Sequence, residues 1–428
     1  MSAHGSNPLR TLARYPSLRR LFVAGALSDV GTWMQAVTVG TLVAETSHSA
    51  GATALVMSVL FLPQGICSPL GGLLADRFDR RRMAMTVLGV QTLLTFALAA
   101  LVHRGVHSPA ALAGVILVQG CAGAFVNPAL QAITPQLVAP EDLLPALSLG
   151  SISWNCGRIG GPILGALATA AWGPATAIAA NAASFLVPIV ALASIRRRFH
   201  SGGHVELGRF FAELREAGRL AARLPSMRVL VPGVVVVQLM LSALLPTLPF
   251  YARNVLGGGS GLVTLLFVAL GSAAMLAAGF VPGLTLGMGR SAVMRCFVGC
   301  LSVGMLITAV ARAPLVAVVG VAVFGCGITG FFVSSGTVVQ RDAPESHRGR
   351  LVSIYAAVTG MSYGLGAPLN GWLADHTWGV RTHLAVWAVV LAGAAFVVQR
   401  RRPDWYAMLD GADPEPRWRR QPLVAKAA

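Results

Sequence analysis

Two charged residues interrupt runs that are otherwise apolar. Asp29 lies about nine residues into the run 21–44, and Arg158 near the middle of the run 144–171. A charge at the centre of a bilayer costs about 3 kcal/mol on insertion scales, so each must face a cavity or a partner. A carboxyl in such a place can take up and release a proton, and a nearby guanidinium tunes its acidity. Two blander readings stay open: a structural ion pair, or an Asp29 that reaches the interface. At about 1.5 Å per residue the two groups lie at nominal depths of roughly 12 and 21 Å, a gap that helix tilt and the long arginine side chain must close. Gln35, Asn127, Gln131, Asn155 and Gln238 also lie within apolar runs. They are candidates to line a cavity, and each is also explained by a hydrogen bond between helices. His103, His107, His376 and His383 read as outer-loop residues with no matched acid and nucleophile, so no catalytic set is expected, and neither is a metal or cofactor.

The elements that must position these groups are membrane spans. The chain has 428 residues, 55% apolar and 11% charged, with mean hydropathy +0.68, whereas a soluble domain is about a quarter charged. Helices long enough to cross a bilayer, about 20 residues each, can be drawn at 21–44, 53–75, 83–102, 110–133, 144–171, 174–195, 229–251, 261–284, 292–311, 314–338, 351–374 and 383–400. The formal charge of +17 would suggest nucleic acid in a soluble protein, but here the arginines fall in the loops, so no nucleic-acid partner is expected. Of the basic residues, 28 lie on the side of the two termini and four on the other, which predicts cytoplasmic termini in a bacterial inner membrane. The N-terminus resembles a signal peptide, but its apolar run is too long for an h-region and reads as the first span. Lys426 is the single lysine, which excludes phosphate-loop and phosphorylated-pump motifs. The six cysteines all lie in apolar runs and read as packing residues.

The long connection 196–228 carries apolar residues at helical spacing and reads as an amphipathic helix on the inner leaflet. It divides the chain into a half over 1–195, the linker 196–228, a half over 229–400 and a basic tail over 401–428, expected to be disordered or membrane-associated. The halves repeat. Gln136-x-x-Ala139-Pro140-Glu141 recurs as Gln340-x-x-Ala343-Pro344-Glu345. Gly160-x-Pro162-x-x-Gly165-x-Leu167-Ala168-x-x-x-Trp172-Gly173 recurs at Gly366 to Gly379. A parallel duplication of six-helix units places a binding site near mid-membrane, where the halves meet.

Between the second and third runs lies Gly71–Arg82, GGLLADRFDRRR, too short to fold alone and too charged to enter hydrocarbon. It resembles the loop between helices 2 and 3 of the major facilitator superfamily, read at Gly72, Leu74, Ala75, Asp76, Arg77, Arg80 and Arg81. Asp79 stands where the family usually has glycine, a form similar to the enterobactin-exporter-like, transmembrane secretion effector branch. The resemblance implies a cytoplasmic gate at Gly72, Asp76, Arg77, Arg80 and Arg81, with Asp76 meeting the eleventh helix. The corresponding loop of the second half, Gly283–Arg290, has no acid, so no symmetric latch is expected there. The fifth run carries Gly157, Gly161 and Gly165 four residues apart, with Pro162 between the last two. Spacing alone describes a close, bent helix contact. The pattern also resembles the motif of the superfamily's proton-coupled exporters, with Ala166 in place of a final glycine.

The resemblance thus implies an all-α fold of twelve spans in two six-helix halves. It also implies a monomeric, proton-coupled exporter of amphipathic small molecules such as drugs, siderophores or secondary metabolites. Alternatives are an importer of a small nutrient and, from another class, a membrane-embedded transferase. Asp375 and His376 read as a solvated outer rim.

Overall fold

In a computed structural model of the chain, residues 8–64, 67, 78–195, 215–216, 218–344 and 348–410 are described. Gly72, Asp76 and Arg77, most of the linker helix and residues 411–428 lie outside them. Among the described residues the chain is helical, without strands. The twelve spanning helices are α1 Pro16–Ser47, α2 Ala50–Ser58 with helix again at 62–64, α3 Arg80–His103, α4 Pro109–Ile133, α5 Leu143–Trp172 and α6 Pro174–Ser194. The second half follows with α7 Pro225–Leu244, α8 Ser260–Met288, α9 Arg290–Val310, α10 Pro314–Asp342, α11 Arg348–His376 and α12 Gly379–Arg401.

Local chemistry sets many of these boundaries. Proline begins α1, α4, α6, α7 and α10, where its missing N–H costs nothing and its fixed φ suits the first turn. Ser49 caps α2 by accepting from the Ala52 N–H, and Asp79 caps α3 by accepting from Arg82 N at 3.0 Å. The aspartate that departs from the family loop therefore does a helix cap's work. The repeat seen in the sequence reappears in the backbone. Gly173 and its counterpart Gly379 both adopt left-handed φ, +85° and +74°, at the turns α5–α6 and α11–α12. α5 and α11 also each carry an internal proline, Pro162 and Pro368.

Among the described residues, eight helices are long and apolar enough to cross a membrane on composition alone: α3, α4, α6, α7, α8, α9, α10 and α12. α1, α5 and α11, which are not among these eight, carry Asp29, Arg158 and Asn370, and each contacts the other half. The outer surface is strongly apolar, with Leu286 at 91% and Leu93 at 70% exposure, as a lipid-facing surface must be.

The first and last described segments, Pro8–Arg14 and Pro403–Asp410, lie at one end of the bundle. There Arg14 and Tyr15 both reach Asp142 at 3.0 Å, tying the N-terminal helix Pro8–Arg14 to the start of α5. The tail departs from the expectation of disorder over its first part. Pro403–Asp410 is a helix that buries Trp405 and Leu409, with Trp405 Nε1 donating to Ser226 O and Arg341 donating to the Met408 and Leu409 carbonyls. Its amphipathic pattern has apolar surface to cover at the ends of α7, α9 and α10, and that burial outweighs the cost of ordering it. The Asp410 carboxylate then accepts from Ser291 N at 2.9 Å and from the Ser291 hydroxyl. The second half thus obtains from the tail the acid that its own loop lacks.

Candidate functional site

The glycine face of α5 is built against α1. A β-carbon at Gly157 would meet the Asp29 carbonyl carbon at 2.8 Å, one at Gly161 the Trp33 Cβ at 2.5 Å, and one at Gly165 the Thr38 Oγ1 at 3.1 Å. Each step of four along α5 matches a step of four or five along α1, which is what two closely packed helices require. Hydrogen in place of a side chain lets the backbones touch, and this fixes Asp29 beside α5. The Asp29 carboxylate accepts a hydrogen bond from Ser153. No cation among the described residues pairs with it.

Arg158 lies on α5 along the same contact. Its guanidinium sits 5.2 Å from the Trp33 ring centroid, and its Nε is buried without a hydrogen-bond partner, as is Trp33 Nε1. Among the described residues, Asp29 and Arg158 form no ion pair, although Gly157, the residue before Arg158, packs on the Asp29 backbone and brings the two to nearly the same level, closing the gap in depth read from the sequence. Trp33 also begins a chain of aromatic rings that crosses between the halves. It packs against Phe267 of α8 at 6.2 Å and against Trp154 of α5 at 5.5 Å. Trp154 meets Phe61 at 6.0 Å, and Phe61 meets Tyr363 of α11 at 5.8 Å. Nothing in the spacing of these rings announces the assembly, because four helices and the turn inside the second span contribute one ring each.

The neutral polar candidates separate. Gln35 does not open onto a cavity: it is 3% exposed, donates to Gln119 at 2.9 Å and accepts from Asn181 at 2.6 Å, with Gln119 also bonded to Thr95. This satisfied network ties α1, α3, α4 and α6. Gln238 is likewise a bond between helices, donating to the Thr359 carbonyl of α11 at 2.9 Å, although its Oε1 has no partner. Asn155 is half-buried, Gln131 is exposed at the terminal end of α4, and the Asn127 side chain lies outside the described residues. Of the expected gate, Arg80 and Arg81 are placed within the first half. Arg80 donates to the Ala132 carbonyl and Arg81 to the Ala193 carbonyl, at the ends of α4 and α6 where a cation is favoured.

One expectation at the opposite end is corrected and another is extended. His383 is not a loop residue: it is buried in α12 and shares Asn370 Oδ1 with Trp387, while Asn370 donates to Leu239 O and Ser242. Asp375 lies exposed at the rim, as expected, and also has partners there. It accepts from Ser49 Oγ at 2.6 Å, Ala50 N at 2.8 Å and Gly51 N at 2.9 Å, so α11 of one half caps α2 of the other. Arg253 and Glu45 form an ion pair at 2.8 Å, and Asn254 bonds His48, both also between the halves. Gly371 and Gly51 allow this approach, since a β-carbon on Gly371 would meet the Gly51 Cα at 2.7 Å. The halves are therefore fastened at the end away from the termini.

This arrangement of two packed six-helix halves is shared with known transporters. A bacterial homologue of the human lysosomal transporter Spinster, in an inward-facing and unoccupied conformation, superposes with a TM-score of 0.70 at 14% identity, covering 92% of this chain and 96% of that one. The enterobactin exporter EntS of Salmonella typhimurium is 25% identical over 382 residues, 85% of this chain and 87% of its own. The MFS-type transporter YfiS of Bacillus subtilis is 30% identical over 177 residues, so the chain spans 41% of the length of that relative. The profile of the transmembrane secretion effector family matches residues 7–427. Nearly the whole chain is thus accounted for by one lineage, and the protein belongs to the transmembrane secretion effector family of the major facilitator superfamily, a multi-pass membrane transporter and not an enzyme.

Proposed function

We propose that the protein exports an amphipathic small organic molecule by alternating access, in exchange for protons, with both termini in the cytoplasm. The observation that carries this reading is the α1–α5 contact. The exporter-type glycines Gly157, Gly161 and Gly165 clamp the helix segment that holds Asp29 next to the seam. An acid so placed changes the charge at the seam when it binds a proton, while Gln35 and Gln238 are engaged in bonds between helices. Arg158, along the same contact, sets the field that Asp29 feels. The basic residues at the end of the termini support the orientation. With that orientation the far-end fastening joins the halves on the outer side. The relative named as an exporter supports the direction.

The test uses proteoliposomes with an imposed pH gradient and a panel of ethidium, tetraphenylphosphonium and 2-naphthoate. Wild type should move at least one of these against its gradient, and Asp29→Asn should lose that pH-driven movement while still exchanging the same compound downhill. An Asp29→Asn protein with the wild-type dependence on the pH gradient would overturn the assignment.

A further inference from the structure

Arg158 presents an unusual deficit. Arginine brings five N–H donors and no acceptor, and within a membrane a structural arginine pairs them with carboxylates or carbonyls. Among the described residues Arg158 has neither, and its Nε is buried without a partner. The ring beneath it adds a second orphan, because Trp33 Nε1 is also buried with no acceptor. Two unsatisfied donors on one stacked pair call for an acceptor that the chain does not supply. The local acid does not fill the role, since Asp29 is engaged by Ser153 one turn away. Around this pair the aromatic chain divides by exposure: Phe267 and Trp33 are buried, whereas Trp154, Phe61, Tyr363 and Arg158 keep part of their surface open. Tyr363 comes from the other half and lies within electrostatic reach of Arg158. Gly271 of α8 faces the stem of Arg158, where a β-carbon would stand 3.6 Å from its Cγ.

From this juxtaposition we propose that the seam binds an organic anion carrying a planar aromatic ring, its anionic oxygens on Arg158 and its ring against Trp154, Phe61 and Tyr363. A guanidinium fork suits a carboxylate or similar planar oxyanion, which it holds through two parallel bonds. Open aromatic faces and edges take a flat ring in offset or edge-on contact. A cationic amphiphile brings like charge to Arg158, and an uncharged one offers only weaker, neutral acceptors. The proposal deepens the transport reading by naming a substrate class, but binding at equilibrium requires neither a direction nor a coupling ion.

The test is equilibrium binding of radiolabelled 2-naphthoate to the full-length protein in lipid nanodiscs. Methyl 2-naphthoate, 2-naphthylmethylamine and cyclohexanecarboxylate serve as neutral, cationic and ring-free competitors. Naphthoate should bind at least about tenfold more tightly than each of the three, the scale of one charge-assisted contact. Arg158→Gln should lower naphthoate affinity about 10- to 100-fold and leave the affinity for the ester unchanged, which also shows that the variant is folded. Arg158→Lys should fall between, keeping the charge but not the fork. Trp33→Phe, which removes the N–H and keeps a ring, should weaken naphthoate and not the ester. Equal binding of acid and ester by wild type, or wild-type naphthoate affinity in Arg158→Gln, would overturn the proposal. Naphthoate binding without proton-driven export of any compound would refute the export reading alone. Export of neutral compounds without naphthoate binding would refute this site alone.

Discussion

Asp375→Asn probes the fastening between the halves. The carboxylate takes three bonds from Ser49, Ala50 and Gly51, two of them from backbone N–H groups in the first turn of α2. Those N–H groups have no partner within their own helix, and the helix dipole favours an anion there. A bond to a charged group contributes about 1.5–3 kcal/mol when shielded. Asp375 is exposed, so water competes, and about 1 kcal/mol per bond is the better figure. Asparagine keeps one acceptor oxygen and loses the charge and the second oxygen, so roughly 2 kcal/mol of closure should be lost. That corresponds to about a 30-fold shift toward the state with the far end open. The Arg253–Glu45 pair adds at most about 1 kcal/mol, because both side chains are partly exposed. Spin labels at Thr46 and Thr377, on a background without the native cysteines, report the separation by pulsed electron resonance. Wild type should give a short distance, and Asp375→Asn should add a longer population that grows in Asp375→Asn/Glu45→Gln. An unchanged distance distribution in the double variant would refute the reasoning.

Gly161→Ala should destabilise the protein by about 1–3 kcal/mol, the usual range for overpacking, because its β-carbon would stand 2.5 Å from Trp33 Cβ and 2.7 Å from Met34 N. Gly150→Ala, with nothing within 4 Å, is the control, and equal thermal midpoints in detergent would argue against the α1–α5 contact. The tail helix should undock in acid. Burial pulls the Asp410 carboxyl up, but the Ser291 hydroxyl, the Ser291 and Arg290 backbone N–H groups and nearby Arg295 hold it below the ordinary carboxylate range. A depressed carboxyl stabilises docking above its undocked pKa, and the contribution disappears as pH falls through the docked value. A fluorine-labelled Trp405 should therefore change its resonance on acidification in wild type, and already show the undocked signal at neutral pH in Asp410→Ala. A docked signal in that variant would mean that Trp405 and Arg341 suffice.

Apolar run lengths, basic-residue asymmetry and the internal repeat were enough to establish twelve spans in two halves, since each reflects the bilayer or local backbone chemistry acting on neighbours in the chain. The glycines at 157, 161 and 165 were legible for the same reason: a period of four puts them on one helix face whatever that face meets. What that face meets was not legible. Helical spacing says which side of a helix is small or polar, but the partner is chosen by the packing of segments far apart in sequence. Thus Gln35 belongs to Gln119 and Asn181, Asp375 caps a helix 324 to 326 residues away, and Asp410 serves a loop from another part of the chain. Asp29 and Arg158 were identified individually because a charge in an apolar run is conspicuous and costly. Only the tertiary structure decided that they come close along one helix contact yet stay unpaired, one held by Ser153 and the other left over Trp33 among rings gathered from five segments.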